Sequence, residues 1–91
     1  MRAVYKYPLD TNTDHMEVRA PANAELLHVA EQHGSLYVWA RVDPSAPEVV
    51  YRLRVAGTGH PVEADGRYLG TVILRGGDLV WHFFYLSWYR E

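Results

Sequence analysis

The chain has 91 residues, of which 48% are hydrophobic and 13% aromatic, and its formal charge of −2 arises from 9 Lys and Arg against 11 Asp and Glu. This length suits one domain, so we expect residues 1–91 to form a single globular unit. Because the chain has no cysteine, a disulfide framework, a thiolate zinc site and a cysteine nucleophile are excluded. The near-neutral charge argues against a nucleic-acid partner, since proteins that bind polyphosphates normally carry a basic excess.

The sequence contains no pattern typical of a membrane span or of an export signal. Its longest apolar stretch, Leu79 to Leu86, contains His82 and is far shorter than the ~18 residues that cross a bilayer. The first residues carry charge but lack the apolar segment of a signal peptide. We therefore expect a cytoplasmic protein without membrane contact.

Clusters of Gly, Pro, Asn, Asp and Ser recur along the chain and are typical of turns. They occupy residues 10–14, 20–23, 33–34, 43–47, 57–61, 64–66 and 76–77. The segments between them are rich in Val, Tyr, Leu and Trp, and short strands at this spacing are typical of an all-β protein. The predicted strands are residues 2–8, 15–20, 25–32, 35–42, 48–56, 67–74 and 78–87. We expect an antiparallel meander that forms a small sandwich or a partly open barrel.

The segment 24–33 permits two interpretations. Asn23 could cap a short helix that ends at Gly34. The apolar positions Leu27 and Val29 instead alternate with their neighbours, and a clear strand follows directly after Gly34. We favour a strand and keep the short helix as the alternative.

Two hairpins have a predictable register. A two-residue turn at Gly76-Gly77 predicts the facing pairs Ile73–Val80, Thr71–His82, Gly70–Phe83 and Leu69–Phe84. A similar turn at His33-Gly34 predicts the pairs Ala30–Tyr37 and His28–Trp39.

The strand predicted at 48–56 alternates between apolar and polar side chains, which is typical of a half-exposed antiparallel strand. Arg52 and Arg54 then point into solvent. The residues predicted to face inward are Val49, Tyr51, Leu53 and Val55.

The last predicted strand is apolar on both of its faces. Trp81, Phe83 and Tyr85 alternate with Val80, Phe84 and Leu86. Such a strand is either central and covered on both sides, or it faces a partner chain. We expect a homo-oligomer, most simply a dimer, because interfaces favour aromatic residues. The predicted interface residues are Trp81, Phe84, Leu86, Trp88 and Tyr89.

The segment Gly57-Thr58-Gly59-His60-Pro61 has the most unusual local sequence. Its two glycines permit positive φ angles, and such a loop could bind an anion through backbone N–H groups. A tight connection with Pro61 at its exit is the simpler interpretation, since the Rossmann and Walker spacings are absent. If the loop binds a ligand, we expect the site to comprise Gly57, Thr58, Gly59, His60, Arg52, Arg54 and Arg67.

The five histidines do not have the spacing of a metal site. His28 and His33 would point to opposite faces of a continuous strand, and the others are widely separated. His82 lies between two aromatic residues on the last strand, where a hydrogen-bonded structural histidine is the usual outcome. The sequence also contains no recognisable catalytic motif. We therefore predict no metal, no cofactor and no catalytic residue.

Several segments spread over nearly the whole chain form a familiar combination. They are Val4–Leu9, Leu36–Ala40, Val42–Pro44, Gly57–Pro61, Tyr68–Val72 and Gly77–Phe83. Together they resemble a domain-of-unknown-function family of small proteins that tailed phages and actinobacterial genomes encode. The resemblance implies a phage or prophage accessory protein and implies no activity or catalytic residue. The aromatic segment after His82 extends beyond the pattern.

These observations favour a non-enzymatic accessory protein that acts through protein–protein binding and self-association. Its partner would be a host or phage protein. The alternative is a module that binds a small ligand, a nucleotide or single-stranded nucleic acid through the loop 57–61 and the arginine-bearing strand 48–56.

Overall fold

The computed structural model describes residues 1–62 and 66–91, which form seven β-strands and one short 3-10 turn. The strands are β1 (Ala3–Pro8), β2 (His15–Pro21), β3 (Glu25–Gln32), β4 (Ser35–Val42), β5 (Glu48–Gly57), β6 (Arg67–Leu74) and β7 (Leu79–Tyr89). Every predicted strand is confirmed, with bounds that differ by no more than two residues. Of the turn predicted at 64–66, residues 64 and 65 lie outside the described residues.

The strands form two antiparallel sheets that pack face to face as a sandwich. Sheet A has the order β1–β4–β3, and sheet B has the order β2–β5–β7–β6. On one side of the sandwich β3 packs against β6. On the other side β1 and β2 are the sheet edges, and among the described residues no comparable contact joins them. The predicted all-β antiparallel class is thus confirmed as an open sandwich. The predicted meander is wrong, because only β3 with β4 and β6 with β7 pair as neighbours in sequence.

The core lies between the inner faces of the two sheets and consists of apolar side chains. Along β4, Leu36, Val38, Ala40 and Val42 are buried while the residues between them are not. Among the described residues no charged side chain is buried, so removal of apolar surface from water is the main stabilising term. The largest side chains that are almost inaccessible are Phe83, Leu53, Val29, Val38, Val42, Val49 and Val50.

Residues 25–32 form strand β3 and not a helix. Asn23 has a φ of +62° and turns the chain between β2 and β3 instead of capping a helix. The Tyr51 hydroxyl accepts a hydrogen bond from the Ala24 N–H at 2.9 Å and donates one to the Pro21 carbonyl at 2.6 Å. Because Tyr51 satisfies these turn groups and β4 pairs along the segment, the extended conformation is the stable one.

The two predicted hairpin registers are confirmed over most of their length. The observed pairs include Ile73–Val80, Thr71–His82, Gly70–Phe83, Ala30–Tyr37 and His28–Trp39. The predicted pair Leu69–Phe84 is wrong, because Tyr68 faces Phe84 and Leu69 is the extra residue of a β-bulge. The bulge lets Leu69 pack against the core. The turn at 76–77 is longer than predicted, since the last facing pair is Leu74–Leu79.

Gly70 marks the close approach of the two sheets on their packed side. A Cβ atom at this position would lie 3.0 Å from Cγ2 of Val29 in β3, which is tighter than an ordinary contact. A larger residue at position 70 would therefore push β6 away from β3.

The last strand, which is apolar on both faces, is central in its sheet. A central position was one of the two predicted alternatives, the other being contact with a partner chain. β7 lies between β5 and β6, and it continues to Tyr89, two residues beyond the predicted end. Its inner side chains Trp81, Phe83 and Tyr85 belong to the core or pack against it. None of the other described strands packs extensively over its outer face, so among the described strands this second apolar face lacks the cover that sheet A gives the inner face.

We predict that Phe83→Ala lowers the free energy of unfolding by about 3–5 kcal/mol, because the ring fills the core and the vacated volume cannot collapse fully. The measurement is urea unfolding followed by tryptophan fluorescence. Ile73→Ala in the same sheet is the control, since this side chain is 66% exposed and its loss should change stability by less than about 0.5 kcal/mol. Equal effects of the two substitutions would contradict the assignment of the core.

Candidate functional site

The predicted ligand loop leaves the end of β5 as a tight turn. The His60 N–H donates to the Gly57 carbonyl at 3.0 Å. The His60 ring lies against Gly57, where a Cβ atom would be 3.0 Å from Nδ1 of the ring. Gly59 has a φ of +87°, a conformation that favours glycine. Both glycines therefore have structural roles in the turn.

Arg54 does not point into solvent as predicted, because its side chain is only 12% exposed. Its guanidinium donates to the carbonyl of Val55 and, at 3.1 Å, to the carbonyl of Pro61. Nη1 also lies 3.6 Å from Oδ2 of Asp14. These contacts come from two loops that are distant along the chain, and they enclose the side chain. Arg54 thus ties the loop 57–61 and the start of β2 to β5.

A cleft of about 410 Å³ lies beside this arginine. Of the seven residues predicted for a ligand site, it is lined by Arg54, Gly57 and His60, together with Trp81 and residues 11–14. The guanidinium already serves acceptors of the protein itself. The cleft therefore presents little positive charge that an anionic ligand could use.

The other arginines of the predicted ligand site lie elsewhere. Arg52 is exposed on the outer face of sheet B and faces Glu17 of β2. Arg67 reaches sheet A, where its Nη2 donates to the Leu26 carbonyl at 3.3 Å beside a separate cleft of about 140 Å³. The structure therefore does not bring the three arginines together around the loop 57–61.

His82 is hydrogen-bonded through both ring nitrogens on the outer face of sheet B. Nε2 lies 2.8 Å from Oγ1 of Thr58, and Nδ1 lies 2.9 Å from Oγ1 of Thr71. The Thr71 hydroxyl is in turn 2.5 Å from the Tyr68 hydroxyl. The expected hydrogen-bonded histidine is confirmed. Neutral hydroxyl groups, and not a carboxylate, orient the His82 imidazole. These hydrogen bonds are typical of a structural histidine, whereas a general base is usually oriented by a carboxylate.

The described residues contain neither a metal-ligand cluster nor a membrane-spanning helix. No group of three or more His, Asp or Glu side chains within them could hold a metal ion. A helix long and apolar enough to cross a membrane does not occur among them.

An exposed apolar patch lies beside His82, and we call it the outer apolar face. Ile73 is 66% exposed and Tyr68 is 58% exposed. The Tyr68 ring packs edge-on against Phe84, with ring centroids 5.8 Å apart. Arg52 and Arg54 of β5 pair with the adjoining part of β7 and border the patch. The outer apolar face consists of the exposed Tyr68 and Ile73 and the half-buried Val80, Phe84 and Leu86.

The five predicted interface residues lie in separate places. Phe84 and Leu86 belong to the outer apolar face. Trp81 points inward, packs against the core and lines two clefts at one end of the sandwich. Trp88 lies near the other end and is 50% exposed, while Tyr89 is on the outer side and 38% exposed. A single flat interface cannot contain all five.

Residues 89–91 are joined to β2 by polar side chains. The Tyr89 hydroxyl donates to Glu17 at 2.7 Å, and this bond to a carboxylate raises the pKa of Tyr89. Both terminal nitrogens of Arg19 donate to the carboxylate of Glu91, which lowers the pKa of Glu91. Val50 of β5 lies between these pairs and is 1% exposed. The polar contacts thus cover an apolar residue on the outside of the sheet.

Sequence reasoning missed Tyr68 and Ile73, the two most exposed members of the outer apolar face. The hairpin register contained the necessary signal, because it places Ile73 opposite Val80. Reading the two strands together as one surface, and not β7 alone, would have predicted the patch.

We predict that Arg54→Ala lowers the free energy of unfolding by about 1–2 kcal/mol, because it removes the donor to the Val55 and Pro61 carbonyls and the ion pair with the Asp14 carboxylate. Thermal and urea unfolding provide the measurement. Arg52→Ala is the matched control on the same strand, and its exposed side chain should contribute less than about 0.5 kcal/mol. If the two variants are equally stable, Arg54 does not tie the loops.

A family described as a domain of unknown function, DUF7352, matches residues 1–89. Neither the comparison with curated proteins nor that with solved structures yields a match. Since the match covers nearly the whole chain, including both sheets and the outer apolar face, this protein belongs to the DUF7352 family.

Proposed function

We propose that this chain is a non-enzymatic protein-binding domain that acts as a homodimer and binds a partner through its outer apolar face. The observation that carries the proposal is the exposure of Ile73 (66%) and Tyr68 (58%) on a sheet whose inner face already fills the core. An exposed cluster of apolar side chains is typical of an interaction surface.

The composition of the outer apolar face supports a protein partner. Aromatic rings and arginine are residue types that protein interfaces favour, and the exposed Arg52 borders the face. The polar side chains in its middle, Thr71 and His82, already have hydrogen-bond partners in this chain. A partner can therefore cover them without leaving unpaired polar atoms.

The proposed setting is a phage or prophage. The segments that resemble small proteins of tailed phages and actinobacterial genomes extend over most of the chain, and the family carries no assigned activity. We infer that the protein acts in the host cytoplasm and that its partner is a host or phage protein.

The shape of the domain supports self-association. The domain measures 40 × 29 × 19 Å, so it is a thin sandwich with edge strands along one side. Edge strands carry backbone groups that readily pair with a strand of another chain.

We predict that a photo-crosslinking amino acid in place of Tyr68 forms one discrete adduct with a partner protein in actinobacterial cells. Adding Ile73→Glu should lower the yield of this adduct about tenfold or more, because it places a charge at the most exposed apolar residue of the face and removes a principal anchor. Mass spectrometry of the adduct identifies the partner and distinguishes it from a second copy of this chain.

The control is Leu27→Glu, which places the same charge on an exposed apolar residue of sheet A. It should leave the adduct from position 68 unchanged. The proposal is wrong if no discrete adduct forms, or if the two glutamate variants reduce its yield equally.

A further inference from the structure

The β2 edge of sheet B lacks most of the features that prevent a strand from pairing with another chain. Strand β2 ends the order of sheet B, so one side of its backbone lies at the sheet edge. It pairs with β5 over seven residues without a bulge, and its only proline is the last residue, Pro21. Its inward residues Met16, Val18 and Ala20 are buried and apolar. Bulges, internal prolines and inward charges are the usual protections of an edge strand.

The charges along this edge are self-complementary. Glu17 and Arg19 flank Val18 symmetrically, and both are exposed on the outer side of the sheet. If two β2 strands pair in antiparallel fashion about Val18, Glu17 of each copy faces Arg19 of the other. Met16 then faces Ala20 on the inner side. Facing opposite charges stabilise antiparallel strands, whereas facing like charges destabilise them.

We propose that two copies of this chain join by antiparallel pairing of their β2 edges, with Val18 on the two-fold axis. The inference rests on the self-association proposed above and names the surface that produces it. The contact is isologous, as a closed two-fold dimer requires, because each copy contributes the same residues.

The other sheet edges are less suited to this role. Strands β3 and β6 pack against each other within the chain. Strand β1 carries Lys6 as its only charged residue, and the Lys6 ammonium lies 4.4 Å from the centre of the Tyr37 ring and 2.7 Å from Oε1 of Gln32. Pairing of two β1 strands therefore forms no facing pair of opposite charges.

Pairing of the β2 edges has a consequence for the proposed function. It produces one continuous sheet of eight strands, because each copy contributes the four strands of sheet B. Residues that face each other across antiparallel strands point to the same side of the sheet. The outer apolar faces of both copies therefore lie on the same side of the dimer, which favours bivalent binding to a partner that presents two sites.

The contacts that Glu17 and Arg19 make within the chain are compatible with this pairing. The Arg19 side chain is 48% exposed although it binds Glu91. A guanidinium carries five N–H donors in a planar fork, so Arg19 can bind Glu91 of its own chain and Glu17 of the second copy together.

The test is a set of charge-reversal variants studied by analytical ultracentrifugation. The unaltered chain should sediment as a dimer. Glu17→Arg and Arg19→Glu each place two pairs of like charges in contact, and each should raise the dimer dissociation constant about tenfold or more. The double variant Glu17→Arg/Arg19→Glu restores facing opposite charges in reversed order, so it should regain most of the affinity.

Glu91→Gln is the matched control, because it removes the ion pair of Arg19 within the chain and leaves the β2 edge intact. It should sediment as a dimer, and circular dichroism should show the same fold for every variant. If the unaltered chain is a monomer at its highest soluble concentration, both this inference and the proposed self-association are wrong, while the crosslinking test of the outer apolar face still stands. If the chain is a dimer but the single variants do not weaken it, or the double variant is not rescued, only the assignment to β2 is wrong.

Discussion

The pairing of β7 between β5 and β6 is the interaction on which the rest of the structure depends. β7 connects the two halves of sheet B, and its Phe83 side chain is completely buried in the core. Because side chains alternate along a strand, the register that points Phe83 inward also points Phe84 outward. The core and the outer apolar face are therefore consequences of one pairing, and a slip of one residue would exchange them.

Arg54 shows why the glycine-rich loop is a weak indication of ligand binding in this protein. The guanidinium holds the Pro61 carbonyl at 3.1 Å and lies 3.6 Å from the Asp14 carboxylate, so its charge is used to order two loops. A loop that needs glycine for its own turn, as Gly59 does with a φ of +87°, requires no ligand to explain its composition. The unusual motif is accounted for by its contacts within the chain.

The strands, their bounds and both hairpin registers were predictable, because turn residues and alternation act over short distances along the chain. The pairing of β5 with β2 and β7, and the order of the two sheets, were not predicted, since they join segments that are distant in sequence. The same limit explains Arg54, whose burial depends on Asp14 and Pro61. The bulge at Leu69 was missed because it arises from packing between the sheets.

The two proposed contacts of this protein use different chemical groups and do not compete. Pairing of the β2 edges uses the backbone N–H and C=O groups of β2 together with the facing charges of Glu17 and Arg19. All of these groups lie at one edge of sheet B. Binding through the outer apolar face consumes the exposed surface of Tyr68 and Ile73 on β6, the strand at the opposite border of the same sheet. The outer apolar face also includes residues of β7, and β5 separates it from the β2 edge, so a dimer formed through β2 leaves both outer apolar faces accessible to a partner.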